Sequence, residues 1–250
     1  MNNFNRCLAG AFLWSCTHIA QADTVLGVYA GVGIWQADFS GKVGVSSASI
    51  EGLGFDDEDS NMFYVALEHP VPLIPNIRLQ YTDISSSSSA TLSSNVVIDQ
   101  VPFTTGSSVA TELELSHTDA ILYYEVLDNW VNLDLGINVR SYDGSLEIRS
   151  GALREDVSLD GVIPMLYGKA QIDMPFTGWS VGLDASVVSY SGDSITDYAA
   201  KILYTSDALP LLDLGLELGY REMSLELDEL DDLETDLTLD GPYAAVTFHF

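Results

Sequence analysis

Across 250 residues the chain carries 37 acidic side chains against 9 basic ones, a formal net charge of −28, and only 2 cysteines. That length suits a single all-β barrel domain, and so negative a charge excludes nucleic-acid phosphates as partners. Both cysteines, Cys7 and Cys16, fall within the first 22 residues, so residues 23–250 cannot hold a disulfide.

Those first residues, MNNFNRCLAGAFLWSCTHIAQA, order a lone basic residue (Arg6), an apolar run from Leu8 to Trp14, and the small Ala20 and Ala22 before Asp23. The order is that of a cleaved secretory signal peptide over 1–22, leaving 23–250 as one domain; the apolar run is too short for a membrane helix. A lipoprotein signal ending at Cys16 is the competing reading, with Trp14 awkward where small residues are usual. Beyond it, no stretch reaches the roughly 18 uninterrupted apolar residues of a membrane helix, so only strands could cross a bilayer.

Period-two alternation then dominates. Strand-like segments come in chain order near 25–38, 60–69, 76–85, 108–126, 129–149, 161–174, 178–191, 194–206, 213–227 and 235–250. In VNLDLGINVR (131–140), Val131, Leu133, Leu135, Ile137 and Val139 share one face, and Asn132, Asp134, Gly136, Asn138 and Arg140 the other. The count is about ten strands, with 8 to 12 compatible, and an even number suits closure.

Connections alternate between two kinds. Short ones hold most of the prolines: HPVPLIPN (69–76), LDN (127–129), MPFTG (174–178) and SDALPLLD (206–213). The others are mostly longer and polar: 39–59 with the acidic run Asp56, Asp57, Glu58, Asp59; the serine tract 85–95 running on to about 107; 150–160; a brief SGD near 191; and DELDDLETD (228–236). One short-turn end and one long-loop end predict an antiparallel up-and-down transmembrane β-barrel.

Alternation alone does not say which face is outside. The polar face is laced with glycine (Gly27, Gly31, Gly33, Gly136, Gly182, Gly215, Gly219), which makes room in a crowded lumen and would only weaken a water-exposed strand. With that face inside, Arg78, Arg140, Lys169, Lys201 and Arg221 line the lumen, where Asp134, Asp184, Glu217, Glu68 and Glu125 are available as partners. Facing lipid instead, each Arg or Lys would cost roughly 2–4 kcal/mol at the midplane. Trp130, Phe176, Trp179, Phe248 and Phe250 are expected as a girdle at the short-turn end, and Tyr142, Tyr190 and Tyr220 at the other.

The segments LGVYAGVGIWQADFSG (26–41), FYVALEHPVPLIPNIRLQYTDIS (63–85), LSHTDAILYYEVLDNWVNLDLGI (115–137), DGVIPMLYGKAQIDMPFTGWSVG (160–182) and DLTLDGPYAAVTFHF (236–250) resemble a family of small proteobacterial outer-membrane β-barrel proteins of unassigned biochemical function. The resemblance implies residence in the cell outer membrane, with termini in the periplasm and outer-membrane lipids and lipopolysaccharide as surroundings; it supplies no substrate. Outer-membrane barrels end in a strand closing on Phe that the barrel assembly machinery reads, and Phe248 and Phe250 resemble that signal. In the same strand Leu237 and Leu239 have the opposite parity, which predicts a bulge at Gly241-Pro242 if they too face lipid.

Candidate chemistry is sparse. His117 and Asp119 share parity about ten residues before the turn at 127, hence toward the loop-side rim, and a ten-stranded outer-membrane protease barrel uses an Asp–His pair plus an Asp pair there. The second pair is missing, since Asp83 has no same-face carboxylate two residues away; a structural hydrogen-bonded pair is the plainer reading. The acidic runs lack calcium-loop spacing, which favours solvated loops over a divalent-cation site, and Gly31-x-Gly33 sits inside a strand with no helix after it, so no cofactor is expected. Three functions stay open: a non-enzymatic outer-membrane barrel, structural or small-solute-related, with a narrow charge-paired lumen; a rim hydrolase of peptide or lipid using His117 and Asp119; and a soluble periplasmic barrel.

Overall fold

The computed structural model describes residues 26–43, 48–55, 57–98, 101–209, 212–230 and 233–250. The expected signal peptide and both cysteines lie outside them, as do Asp56 and the pair 231–232 of the second acidic run. No described helix is long and apolar enough to cross a membrane.

Ten long strands form the staves: β1 (Gly27–Val43), β2 (Glu58–Glu68), β3 (Asn76–Asp83), β4 (Ser108–Leu127), β5 (Val131–Ser150), β6 (Gly161–Asp173), β7 (Trp179–Tyr190), β8 (Asp193–Leu209), β9 (Leu212–Leu230) and β10 (Leu233–His249). Each pairs antiparallel with the next, and β10 returns to β1 from Tyr29↔His249 to Val43↔Thr235, closing an up-and-down barrel. Closure leaves no long stave with an unpaired edge.

Through the short-turn half, alternation turns apolar side chains outward. Ile137 and Leu216 are each 52 % exposed, while their strand neighbours Asn138 and Glu217 are buried. The outward run Val131 to Val139 is nine residues long. At about 3.3 Å per residue and a tilt near 40° it rises about 23 Å, close to the roughly 25 Å apolar band of a membrane barrel. Inward glycines make room for tyrosines from the neighbouring stave. Gly31 faces Tyr64 and Gly219 faces Tyr243 across the ladder, and a Cβ on either glycine would lie 2.3 or 2.4 Å from the ring.

Toward the loop end the two faces exchange character. In β1 the outward set Val32 and Ile34 gives way to Gln36 and Asp38, while Trp35, Ala37 and Phe39 are buried inside. In β9 the outward Leu214, Leu216, Leu218 and Tyr220 give way to Glu222 and Ser224, with Met223 and Leu225 inside. The apolar interior of this half joins Trp35, Phe39, Leu115, Ile148, Met223 and Leu239 to side chains from the connections. Those come from Leu53, at the end of a single helical turn (Ile50–Leu53), Phe55, Leu92, and Val96 and Phe103 of a small hairpin (Val96–Ile98 with Val101–Phe103). The long connections thus fold into the mouth of the barrel and fill it.

This exchange corrects several sequence expectations. No bulge forms at Gly241-Pro242: Trp35↔Tyr243 and Asp38↔Asp240 keep one register across it. Leu237 and Leu239 point into the apolar plug, at 2 % and 0 % exposure, so no shift is needed to bury them. Trp35 Nε1 donates to the Gly241 carbonyl at 3.2 Å, and a Cβ at Gly241 would sit 1.9 Å from the Gln36 carbonyl oxygen, which explains the glycine. Tyr142 is buried inside rather than in a girdle, whereas Tyr190 and Tyr220 are exposed. The serine tract is not a loop throughout: Ser85–Thr91 is a strand paired with β4 from Ser85↔Glu114 to Thr91↔Ser108. The second acidic segment is likewise strand up to Leu230 and from Leu233.

Candidate functional site: the layered lumen

Below the apolar plug lies a belt of ion pairs. Arg140 of β5 donates through Nε to Asp119 Oδ1 at 2.7 Å and through Nη2 to Asp119 Oδ2 at 2.9 Å, a bidentate pair with β4. Its Nη2 also donates to Asp197 of β8. Asp197 in turn accepts from Arg221 of β9 at 2.9 Å (Nε) and 2.7 Å (Nη2). Two guanidinium groups and two carboxylates therefore balance across four staves, all nearly solvent-free. Arg221 also donates to Thr82 Oγ1 and lies 4.7 Å from the Trp35 ring centroid, tying the belt to the plug above it.

The belt decides the fate of the His117–Asp119 pair. The two share parity and the lumen, but the Asp119 carboxylate is held by Arg140 rather than by the imidazole. His117 Nδ1 lies 3.1 Å from the Leu115 carbonyl and Nε2 lies 3.4 Å from Arg221 Nη2. A guanidinium can only donate, so Nε2 accepts and Nδ1–H donates: the imidazole is neutral and both nitrogens are engaged. The position also differs from the expected rim. β4 continues nine residues beyond His117 to Ser108, and plug residues Leu113 and Leu115 lie between, leaving His117 and Asp119 each 1 % exposed.

Beneath the belt a cavity of about 90 Å³ leads into a wider vestibule of about 440 Å³, lined at its far end by Asp128, Met174, Gly178 and His249 of the short-turn end. The remaining sequence candidates line it. Lys169 Nζ donates to Asp134 Oδ2 at 3.0 Å; Lys201 pairs with Asp184 and lies 3.6 Å from Glu217 Oε2. Glu217 also accepts from Tyr243 OH at 2.6 Å. Glu68 and Glu125, expected to meet cations, instead accept from neutral groups: Tyr123 OH at 2.7 Å and Asn76 Nδ2 at 3.2 Å. Arg78 lies 3.9 Å over the Tyr64 ring and donates to Gln80.

The sequence reading missed Asp197 altogether and assigned Asp119 to the wrong partner. A usable signal existed for the second. Counting outward from the turn between β4 and β5 brings Asp119 to within one residue of Arg140, and the register shift between Glu125 and Leu127 sets the two directly opposite. For Asp197 no such symmetry exists, because it sits diagonal to Arg221, across from Met223.

At the terminus, Phe250 N donates to the Val28 carbonyl at 2.9 Å and Val28 N to Phe250 O at 3.3 Å. The last residue is locked to the first stave, with Phe250 itself 60 % exposed on the outer parity it shares with Val246 and Phe248. Among the described residues no group of three or more His, Cys, Asp or Glu is placed to hold a metal ion.

No family model matches this chain, and no curated protein matches it. Among solved structures it is similar to the transport unit of the autotransporter AIDA-I from Escherichia coli, at 9 % identity and a TM-score of 0.41, over 96 % of this chain and 93 % of that one. The Ralstonia pickettii toluene transporter TbuX gives 9 % identity and a TM-score of 0.20, over 90 % and 88 %. Similarity this slight does not bear on function.

Proposed function

We propose that the chain is an integral outer-membrane barrel, non-enzymatic, whose lumen is sealed on the loop side and opens as a vestibule toward the periplasm. The observation that carries this reading is the belt of outward apolar side chains in the short-turn half. In water it would be an aggregation surface far beyond the few hundred Å² a soluble monomer tolerates; in a bilayer it is the lipid-facing band. Both ends of the barrel domain lie at the short-turn end, which in this orientation is periplasmic. Loops then face outward toward lipopolysaccharide. Phe248 and Phe250 serve as the signal read by the barrel assembly machinery, and the chain joins the small proteobacterial barrels it resembles.

The plug and the belt support a closed barrel over an open pore. Purified protein in a planar bilayer is expected to carry no steady current, and excision of residues 92–104 is expected to introduce one. Steady conductance of the intact protein would overturn the sealed reading. Location is tested separately: a membrane pellet and a heat-modifiable band on a gel are expected, and extraction by buffer without detergent would favour a soluble barrel.

A further inference from the structure

The vestibule contains charges that no side chain pairs at ion-pair distance among the described residues, of both signs and close together. Arg78 projects inward from β3 where the two cavities meet and lines both. Arg140, Lys169, Lys201 and Arg221 each have a carboxylate within 4.0 Å. Arg78 has none among the described residues: Nη2 donates to Gln80 Oε1 at 2.8 Å, and Nε is buried without a partner. Its guanidinium carbon lies 3.9 Å from the Tyr64 ring centroid, a contact that positions the group without supplying a counter-charge.

Nearer the short-turn opening the imbalance reverses. Register pairs Arg78 with Ala66, so Glu68 is its diagonal neighbour, about 7–8 Å away between backbones. Glu68 and Glu125 accept hydrogen bonds only from uncharged Tyr123 and Asn76, with no cation within 4.0 Å among the described residues. Seven carboxylates and three Lys or Arg line the vestibule. A simple anion entering it would be repelled on the way to Arg78, and a simple cation would meet Arg78, Lys169 and Lys201 at the inner end. A molecule bearing both charges a few ångströms apart satisfies both ends.

We propose that the vestibule binds a zwitterionic solute of amino-acid or short-peptide size. Its carboxylate sits on Arg78, completing a charge-assisted pair, and its ammonium faces Glu68 and Glu125. A volume of about 440 Å³ falls within the range of small-molecule sites. The inference rests on the proposed periplasmic opening of the vestibule for the side from which the solute enters. Binding itself is measured on the folded protein in detergent, so it stands or falls apart from the protein's location.

The test is calorimetric titration of the folded, detergent-solubilised protein with dialanine, acetate and ethylammonium. Dialanine is expected to bind at least about tenfold more tightly than either single-charge probe, a difference of about 1.4 kcal/mol. Arg78→Gln and Glu68→Gln, each with its heat-modifiable band intact, are expected to weaken dialanine at least about tenfold; Glu125→Gln serves if either fails to fold. Acetate binding as tightly as dialanine would make this a simple anion site, and ethylammonium doing so would make it an acidic trap; either sinks the proposal. So does undetectable dialanine binding up to about 10 mM, or unchanged affinity in the folded variants.

Discussion

The two ends of β10 use one backbone to opposite effect. Near the terminus Ala244, Val246 and Phe248 point out while Thr247 and His249 point in; a few residues earlier Thr238 and Asp240 point out while Leu237 and Leu239 are buried inside. The register does not change between these stretches, so nothing in the chain's pairing distinguishes them. In the proposed placement, what changes is the medium on the outer face. Where the outside is hydrocarbon, the lumen takes the polar set; where the outside is water, the lumen becomes an ordinary apolar core. The ion-pair belt sits at the junction, where charges are shielded from both.

The largest effect is expected where the two regimes meet. Asp197→Ala removes the carboxylate shared by Arg140 and Arg221 and leaves Arg221 with no carboxylate partner among the described residues. A loss of about 3–5 kcal/mol is expected in equilibrium urea unfolding from lipid vesicles. A loss below about 1 kcal/mol would mean the belt is ornamental. Next, Leu239→Ala, emptying space in the plug, is expected to cost about 2–5 kcal/mol, as in any tightly packed core. Its counterpart is Leu216→Arg on the outer face of the short-turn half, expected to cost about 2–4 kcal/mol because the charge meets lipid. Glu222→Arg, on the same face of the same strand above the band, is expected to stay within about 0.5 kcal/mol. Equal penalties at 216 and 222 would erase the distinction between the halves.

The smallest effect belongs to the water-exposed top. Hydrogen bonding from Arg149, aided by Arg154, holds the Glu147 carboxyl below its ordinary range. A lowered carboxylate stabilises above the unfolded value near 4.3 and loses that contribution as pH falls through the folded value. The strand Leu153–Ser158, which pairs with Ser145–Ser150 beside it, is therefore expected to loosen below about pH 4. A nitroxide at position 158 should gain mobility there and not at pH 7, and Glu147→Gln should abolish the transition.

The staves were legible because alternation is a local property. All ten expected segments coincide with staves, and Arg140, Lys169 and Arg221, placed on one face by the alternation, line the two cavities. The exchange of faces was not legible, because DLTLD and NLDLG alternate alike, and in the proposed placement only the height of each above the bilayer says which face is wet. Reading Leu237 and Leu239 as lipid-facing therefore forced a bulge that does not exist. The serine tract failed for another reason: serine carries little strand signal, and Ser85–Thr91 is a strand because β4 overhangs it and offers a ladder. Asp119 was tied to His117 because a spacing of two is visible within one strand, whereas Arg140 lies across a turn.

The measurement closest to the central claim is a nitroxide scan of β10 in lipid vesicles, made simple because both cysteines of the chain lie in its first 22 residues. Oxygen, which partitions into hydrocarbon, and a polar nickel chelate, which stays in water, are used as relaxants. From 244 to 250 the even positions should be oxygen-accessible. At 236, 238 and 240 the even positions should respond to the chelate, while 237 and 239 respond to neither. Oxygen accessibility at 237 and 239 would place those leucines in lipid and contradict the exchange of faces on which the sealed barrel depends.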